Sequence, residues 1–425
     1  MTIVKKLQFL AIAVLGWMVL GVQAQNMNRY ITLNVLPDKE ISVFIEVDTL
    51  TAPIKIVSGT HDTTFMLSYK ESYYNYISFI ARADTMTFYG DISIFYCNYN
   101  YENITAVDAS HNAYLSELNC DENFITSLNV RGADSLKILS CNNNSLSSLD
   151  VNQNYSLQEL YCSNNKLSFL KVCNNLYLTD LGCEYNKLTS LNVEKNALLY
   201  YLRCSYNRLN ELIMDNSSLC YLYANNNLFQ ALDVRECADL RILHCENNQL
   251  TSLDVSNNGK LEGLYCYNNF FTTQSLDEIM CTIPDRSLIE NGIFYPLYDA
   301  NDTNNDIFIK TNSTNLIAKN WHPVYYRNLR DIPATTGTFD CATVNINESE
   351  TEPVFGVYPN PATTTIHIHG GSENILVYDI TGRLVKNVPN GENISLDISS
   401  WASGMYIVRC GRHMVKFIKH TSPNR

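Results

Sequence analysis

Of the residues in this chain able to do chemistry, its fourteen cysteines stand out first, and eight of them are spaced regularly. Cys120, Cys141, Cys162, Cys183 and Cys204 follow one another at 21-residue steps. Ala224 takes the next place after 20 residues, Cys245 and Cys266 resume the step, and Cys97 stands 23 residues before Cys120. Such a row could hold metal, attack a substrate, form disulfides or fill a core. Equal spacing on parallel strands gives a line of sulfurs and not a tetrahedron, which excludes a zinc-type site. A nucleophile would need a repeated base beside it, and none recurs. In-register strands hold Cα atoms within disulfide reach, but their Cβ atoms point the same way and stay too far apart. Ala224 keeps the repeat without sulfur. The row is therefore read as reduced, buried packing residues. Cys173, Cys220, Cys237, Cys281, Cys341 and Cys410 lie off it, and each is expected to be a reduced thiol.

The other candidates are weaker. His367 and His369 share a strand face but lack a third ligand, so they read as a polar strand surface. Asp299–Asp306, "DANDTNND", alternates oxygens as a calcium loop does. It has no glycine in the sixth place, and Lys310 stands where the closing glutamate belongs, so a solvated loop is expected. No H-E-x-x-H, G-x-S-x-G or P-loop occurs. The reading is a non-enzyme: no catalytic residue, no metal and no cofactor.

An element must hold the cysteine row, and the surrounding residues define it. Asparagine follows three places after every member: Asn100, Asn123, Asn144, Asn165, Asn186, Asn207, Asn227, Asn248 and Asn269. The unit reads L-x-x-L-x-C-x-x-N-x-L-x-x-L-x-V, as in "LKILSCNNNSLSSLDV". The alternation in L-x-C is that of a strand, with Leu and Cys on one face. One coil cannot bury its leucines alone; stacked coils share a core and form a parallel sheet at about 4.8 Å per strand, about 40 Å for nine. The asparagine amide satisfies backbone groups where the chain turns, and its loss should cost about 1–3 kcal/mol. Twenty-one residues leave little room for a helix on the far side, where L-x-V predicts a short extended or 3₁₀ piece.

This motif resembles the leucine-rich repeat, specifically the 21-residue cysteine-containing subtype of internalin-like bacterial surface proteins. The resemblance implies a mainly β fold: a curved solenoid over residues 92–326 with its parallel sheet on the concave face. It implies no particular ligand.

The ends differ. Residues 1–24, with Lys5, Lys6, an apolar run and small residues to Ala24, have the layout of a secretory signal peptide cut after Ala24. No later stretch has the apolar length of a spanning helix. Residues 25–91 alternate in short runs and are expected to be a small N-terminal β cap. "SLDEIMCTIPD" predicts a helix capped by Ser275, and "IAKNWHPVYY" a short helix and closing strand. Residues 327–353 read as a polar linker. The formal charge of −13 becomes −15 without the leader; residues 354–425 carry +3 and the body −18. So acidic a body is repelled by phosphates, excluding nucleic acid and polybasic membrane contact.

Residues 354–425 alternate as strands between Gly and Asn turns, a small β-sandwich. They resemble the C-terminal sorting domain of type IX secretion cargo in Bacteroidota, through Tyr358-Pro359-Asn360-Pro361, Tyr378-Asp379, Thr381-Gly382-Arg383, Gly404-Met405-Tyr406 and the terminal lysines. Trp401-Ala402-Ser403 departs from that pattern. The resemblance implies engagement of the secretion machinery, export across the outer membrane, removal of the domain and attachment to surface lipopolysaccharide. Triplets beginning at Asp48, Asp62, Asp84 and Asp134 resemble O-glycan acceptors of the same phylum.

The expected function is a surface-attached, monomeric binding protein, an adhesin or virulence-associated antigen engaging host or bacterial protein or glycan. The alternatives are a secreted hydrolase and a structural surface-layer protein. If Leu and Cys point inward, their neighbours point out. The expected binding face is Tyr161, Tyr201, Arg203, Tyr221, Tyr223, His244, Tyr265 and Tyr267, since tyrosine and arginine supply large contact area with polar tips.

Overall fold

In the computed structural model the leucine of each L-x-C triplet centres a three-residue strand, and the row position follows directly after it. The strands Glu117–Asn119, Ile138–Ser140, Glu159–Tyr161, Asp180–Gly182, Tyr201–Arg203, Tyr221–Tyr223, Ile242–His244 and Gly263–Tyr265 pair in parallel, leucine against leucine. The structure describes residues 26–68, 76–302, 304–341, 356–358, 362–371, 374–379, 383–389, 391–410 and 413–419. The expected leader and its cut at Ala24 lie outside them. Two compact units divide the chain, Met1–Asp340 and Cys341–Arg425.

The first unit is a mainly β leucine-rich-repeat solenoid. Its long sheet has thirteen strands, continuing through Ile92–Tyr96 to Glu40–Val47 and Tyr76–Ile80 at one end, and through Gly292–Leu297 to Trp321–Tyr325 at the other. The strand leucines and all eight row cysteines are essentially fully buried in one continuous core. Burial drives each row thiol above its ordinary pKa. None of the eight is bonded to another sulfur.

The asparagines close the turns. Asn165 donates to the carbonyls of Cys141 (2.9 Å) and Cys162 (3.2 Å), while its Oδ1 accepts from Leu146 N (2.9 Å). Asn144 and Asn186 repeat this one coil away. The residue before each asparagine is left-handed, with φ of 52–55° at Glu122, Asn143, Asn164, Tyr185, Tyr206, Asn226, Asn247 and Asn268. Asparagine tolerates that region better than most residues, and it fills the position in five of these eight coils.

A second asparagine row runs along the other turn. Asn112, Asn154, Asn175, Asn196, Asn216 and Asn258 are each 0–1% exposed. Asn175 donates to Val151 O (3.0 Å) and Asn154 O (2.9 Å), so its coil is pinned to the preceding one. Ala133 and Cys237 take the same place in the two remaining coils, both buried. This accounts for one off-row cysteine: burial pushes the Cys237 thiol up to about 12.

The N-terminal residues extend both faces of the solenoid. Tyr30–Val35, Thr51–Ser58, His61–Ser68 and Thr85–Tyr89 form a six-stranded sheet with Ile104–His111 and Ser127–Asn129 of the first coils. Glu40–Val47 and Tyr76–Ile80 join the long sheet instead. Ile31, Ile45, Phe88 and Phe95 then share the solenoid's core.

At the other end the helix Thr273–Thr282 is capped by Thr272, not by Ser275. Ser275 is the third helical residue and closes a reciprocal capping box with Thr272. Residues 327–340 are not a free linker. Ile332 is buried, Thr335 N donates to Ser313 Oγ (2.8 Å), Gly337 N to Thr311 O (3.0 Å), and Asn312 Nδ2 to Phe339 O (2.8 Å). One apolar anchor and these backbone bonds outweigh the polar composition that suggested a linker. Residues 342–353 lie outside the described set. Cys281 and Cys341 also correct an expectation: both are disulfide-bonded. Neither sits on the strand row, so neither is held in the side-by-side geometry that keeps the row thiols apart.

The second unit is a two-sheet sandwich. Gly356–Tyr358, Thr365–Gly371 and Gly391–Asp397 form one sheet; Leu384–Val388, Ile375–Asp379, Gly404–Cys410 and His413–Lys419 form the other. Ile366, Ile368, Val377, Val408 and Phe417 fill its core. The unusual Trp401-Ala402 pair is built in: the Trp401 ring packs 5.0 Å from Tyr406, whose hydroxyl donates to Ala402 O (2.8 Å). Pro359-Asn360-Pro361 and Thr381-Gly382 lie outside the described residues.

Candidate functional site

Because every strand leucine points into the core, its two neighbours stand on the opposite face of the long sheet, the face expected to be concave. Three rows of side chains cross it. The middle row reads Asn119, Ser140, Tyr161, Gly182, Arg203, Tyr223, His244, Tyr265 and Tyr295, by strand register.

The later half of this row is aromatic and packed on itself. Tyr223 stacks on His244 (4.9 Å between centroids), His244 on Tyr265 (3.7 Å) and Tyr265 on Tyr295 (4.2 Å). Beside it Tyr201 stacks on Tyr221 at 4.5 Å. Parallel in-register strands bring like positions about one strand spacing apart, close to the ring-stacking distance. Tyr267 does not face solvent: it is 5% exposed, under Tyr326 (5.0 Å) and beside Tyr298 (5.6 Å) of the closing segment. Glu246 is also buried, with Oε1 3.2 Å from His244 Nδ1.

The earlier half is open. A groove of about 340 Å³ lies where Gly182 interrupts the side-chain row. Tyr161 and Arg203 form its walls on either side of the glycine. Asn142, Asn143, Asn164 and Ser163 line it towards the turns, and Asp121, Glu122, Glu184 and Tyr99 complete it. Arg203 is held by an ion pair with Asp180, with its guanidinium carbon 5.7 Å from the Tyr161 ring centroid and 5.5 Å from that of Tyr201. The Tyr161 hydroxyl donates to Glu159 Oε2 (2.9 Å).

The carboxylates here are unequal. Asp121 accepts from Ser140 Oγ (2.8 Å) and Asn142 N (2.6 Å); burial still raises its carboxyl against the lowering from those bonds. Burial also raises Asp180 and Glu184, and Arg203 opposes both shifts. Glu122 Oε1 accepts from Asn143 Nδ2 (2.8 Å).

Of the eight residues nominated from sequence, the structure brings Tyr161 and Arg203 together at the groove. Of the other six, Tyr201, Tyr221, Tyr223, His244 and Tyr265 line the stacked aromatic stretch beside it, whereas Tyr267 is buried under the closing segment. Gly182, Ser163 and Glu184 share the outward face but are not among those eight. Large side chains carry the signal in a sequence, whereas the opening comes from an absent one. Asn142, Asn143 and Asn164, on or next to the left-handed turn, stand outside the asparagine row read as structural, and they line the groove.

The weaker candidates are placed as follows. Asp299 pairs with Arg327 (3.0 Å) and accepts from Asn301 N (2.8 Å); Asp302 accepts from Tyr298 N and Asn304 N, both 2.8 Å. The Asp299 and Asp302 carboxylates are thus turned onto the loop's own amides and Arg327. His367 is exposed on its strand; the His369 side chain lies outside the described set.

Residues 356–420 match the family described as a secretion system C-terminal sorting domain, which directs the chain to the cell surface or extracellular space. No curated protein matches the chain. Among solved structures, the functional domain of InlJ from Listeria monocytogenes, which includes a cysteine ladder, is 21% identical over 78% of this chain and 86% of that one, with a TM-score of 0.38. A Leptospira interrogans leucine-rich-repeat protein is 24% identical over 41% of this chain, TM-score 0.39; the match spans 48% of that protein. An internalin, InlF, from Listeria monocytogenes is 14% identical over 58% of this chain and 87% of that one, TM-score 0.27.

Proposed function

We propose that the mature chain is an adhesin: a surface-attached binding protein that engages protein or glycan on host cells or neighbouring bacteria through the exposed face of its long sheet. The observation that carries this is the groove at Gly182, opening onto a rigid sheet and flanked by a fixed arginine and a tyrosine face. Buried rows on both turns leave the scaffold little freedom, so side chains on this face are pre-positioned, which lowers the ordering cost of binding. The acidic body disfavours phosphate-rich partners. In this reading residues 354–425 carry the chain through the periplasm and across the outer membrane, are removed, and leave the solenoid attached to lipopolysaccharide. The chain acts as a monomer without cofactor or catalysis.

The test compares cells with and without the gene for adhesion to host cell layers, matrix proteins and other bacteria. Deletion should lower at least one adhesion, and an excess of purified mature chain should compete for it. Unchanged adhesion on every surface would overturn the reading.

A further inference from the structure

We propose that the groove at Gly182 is a carbohydrate site that takes a neutral oligosaccharide lying across the strands, with Glu184 and Arg203 bonding one sugar's hydroxyls and the Tyr161 ring receiving its C–H face. This rests on the binding-face reading above and names the ligand class.

The notch exists because one side chain is missing. A Cβ on Gly182 would stand 3.3 Å from Tyr161 Cδ1, 3.5 Å from Ser163 Oγ and 3.8 Å from Arg203 Nε. Any larger group would fill the space between the two walls. Across that gap a guanidinium, a carboxylate and an aromatic ring face one volume. A sugar diol both donates and accepts, so it satisfies a carboxylate and a guanidinium together.

Other ligand classes fit less well. An anion would have to compete with Asp180, which already neutralises Arg203. A cation needs converging carboxylates, but Asp121 and Glu184 are three strands apart, about 14 Å, and Asp121 and Glu122 are occupied by Ser140, Asn142 and Asn143. A protein partner needs an apolar anchor pocket, whereas this lining is mainly amide, hydroxyl and carboxylate. An extended peptide would need a free strand edge, and the strands under the groove are paired on both sides. Amides repeated at one strand spacing suit a chain of hydroxyl-bearing rings.

The experiment titrates fluorescently labelled maltotriose, cellotriose, mannotriose and N-acetylchitotriose, with tetralysine as the contrasting probe, into the full mature chain. At least one trisaccharide should bind. Gly182→Leu should weaken it at least tenfold at unchanged melting temperature, and Glu184→Gln, which keeps the shape, should do likewise. No trisaccharide binding up to millimolar concentration, equal binding by both variants, or binding of tetralysine alone would overturn the proposal. Adhesion measured on the same variants separates the two readings. Adhesion lost in Gly182→Leu without any trisaccharide binding keeps the binding face and overturns the ligand class. Trisaccharide binding lost in both variants with adhesion intact supports the sugar site and overturns its role in adhesion.

Discussion

Asn165 and Cys162 show how much one residue's position dictates. Both are buried, yet the asparagine is fully used by four backbone partners, while the thiol does no more than fill space. Replacing Cys162 by alanine should therefore cost only about 1 kcal/mol in urea denaturation, as Ala224 already occupies the equivalent place. Aspartate at Cys162 should cost about 3–5 kcal/mol, because it buries an unpaired charge. Alkali tests the whole row. The thiols titrate near 9.0 when unfolded and are raised by burial when folded, so above pH 9 the unfolded state holds fewer protons. Stability should be unaffected by them below pH 9 and should fall as pH rises beyond it, by about 1.4 kcal/mol per thiol per pH unit. Flat stability between pH 9 and 11 would mean the row is not buried as thiol. At this scale the cysteine and first asparagine rows were legible because identity repeats at 21 residues. The second asparagine row was not: alanine and cysteine interrupt it, and its amides donate to carbonyls of the preceding coil.

Elements were legible where the pattern is periodic and obscure where one contact decides. The strands followed from L-x-C and the closing helix from "SLDEIMC", but its cap shifted to Thr272 because Ser275 serves as the reciprocal partner. The strand Gly292–Leu297 meets the closing strand through one such contact. A Cβ on Gly292 would stand 2.3 Å from Trp321 Cδ2, while the indole is held by its Nε1 donating to Pro284 O (2.8 Å). Gly292→Ala should lower the melting temperature by several degrees, equivalent to about 1–3 kcal/mol of overpacking, with Trp321 fluorescence shifting to the red. An unchanged midpoint and spectrum would show that the end coil is looser than its geometry requires. The aromatic stretch behaves as an element too. Tyr221→Ala with Tyr223→Ala removes two stacked pairs, each worth about 0.5–1.5 kcal/mol, so loss of adhesion in that variant would have to be corrected for stability.

For the whole molecule, the sorting segment stands apart from the body in composition, because the charge reverses from −18 to +3. What composition hid was the join: residues 327–340 look like linker yet pack on the solenoid, since a single buried Ile332 and a few backbone bonds suffice. Deleting residues 354–425 should leave the protein in the periplasm, as seen by fractionation and surface protease shaving; surface display of the truncated chain would contradict the sorting role. The outward face of the long sheet was legible as a face, but its opening at Gly182 was not, because side chains invite attention and a glycine does not. The most direct measurement is the adhesion of cells displaying the full chain with Gly182→Trp, set against Tyr155→Ala with Tyr177→Ala. These two tyrosines are each 60% exposed in turns outside the sheet. Filling the groove should abolish adhesion at normal surface level while the tyrosine pair leaves it intact; full adhesion by Gly182→Trp, with loss from the tyrosine pair, would contradict a binding role for the groove.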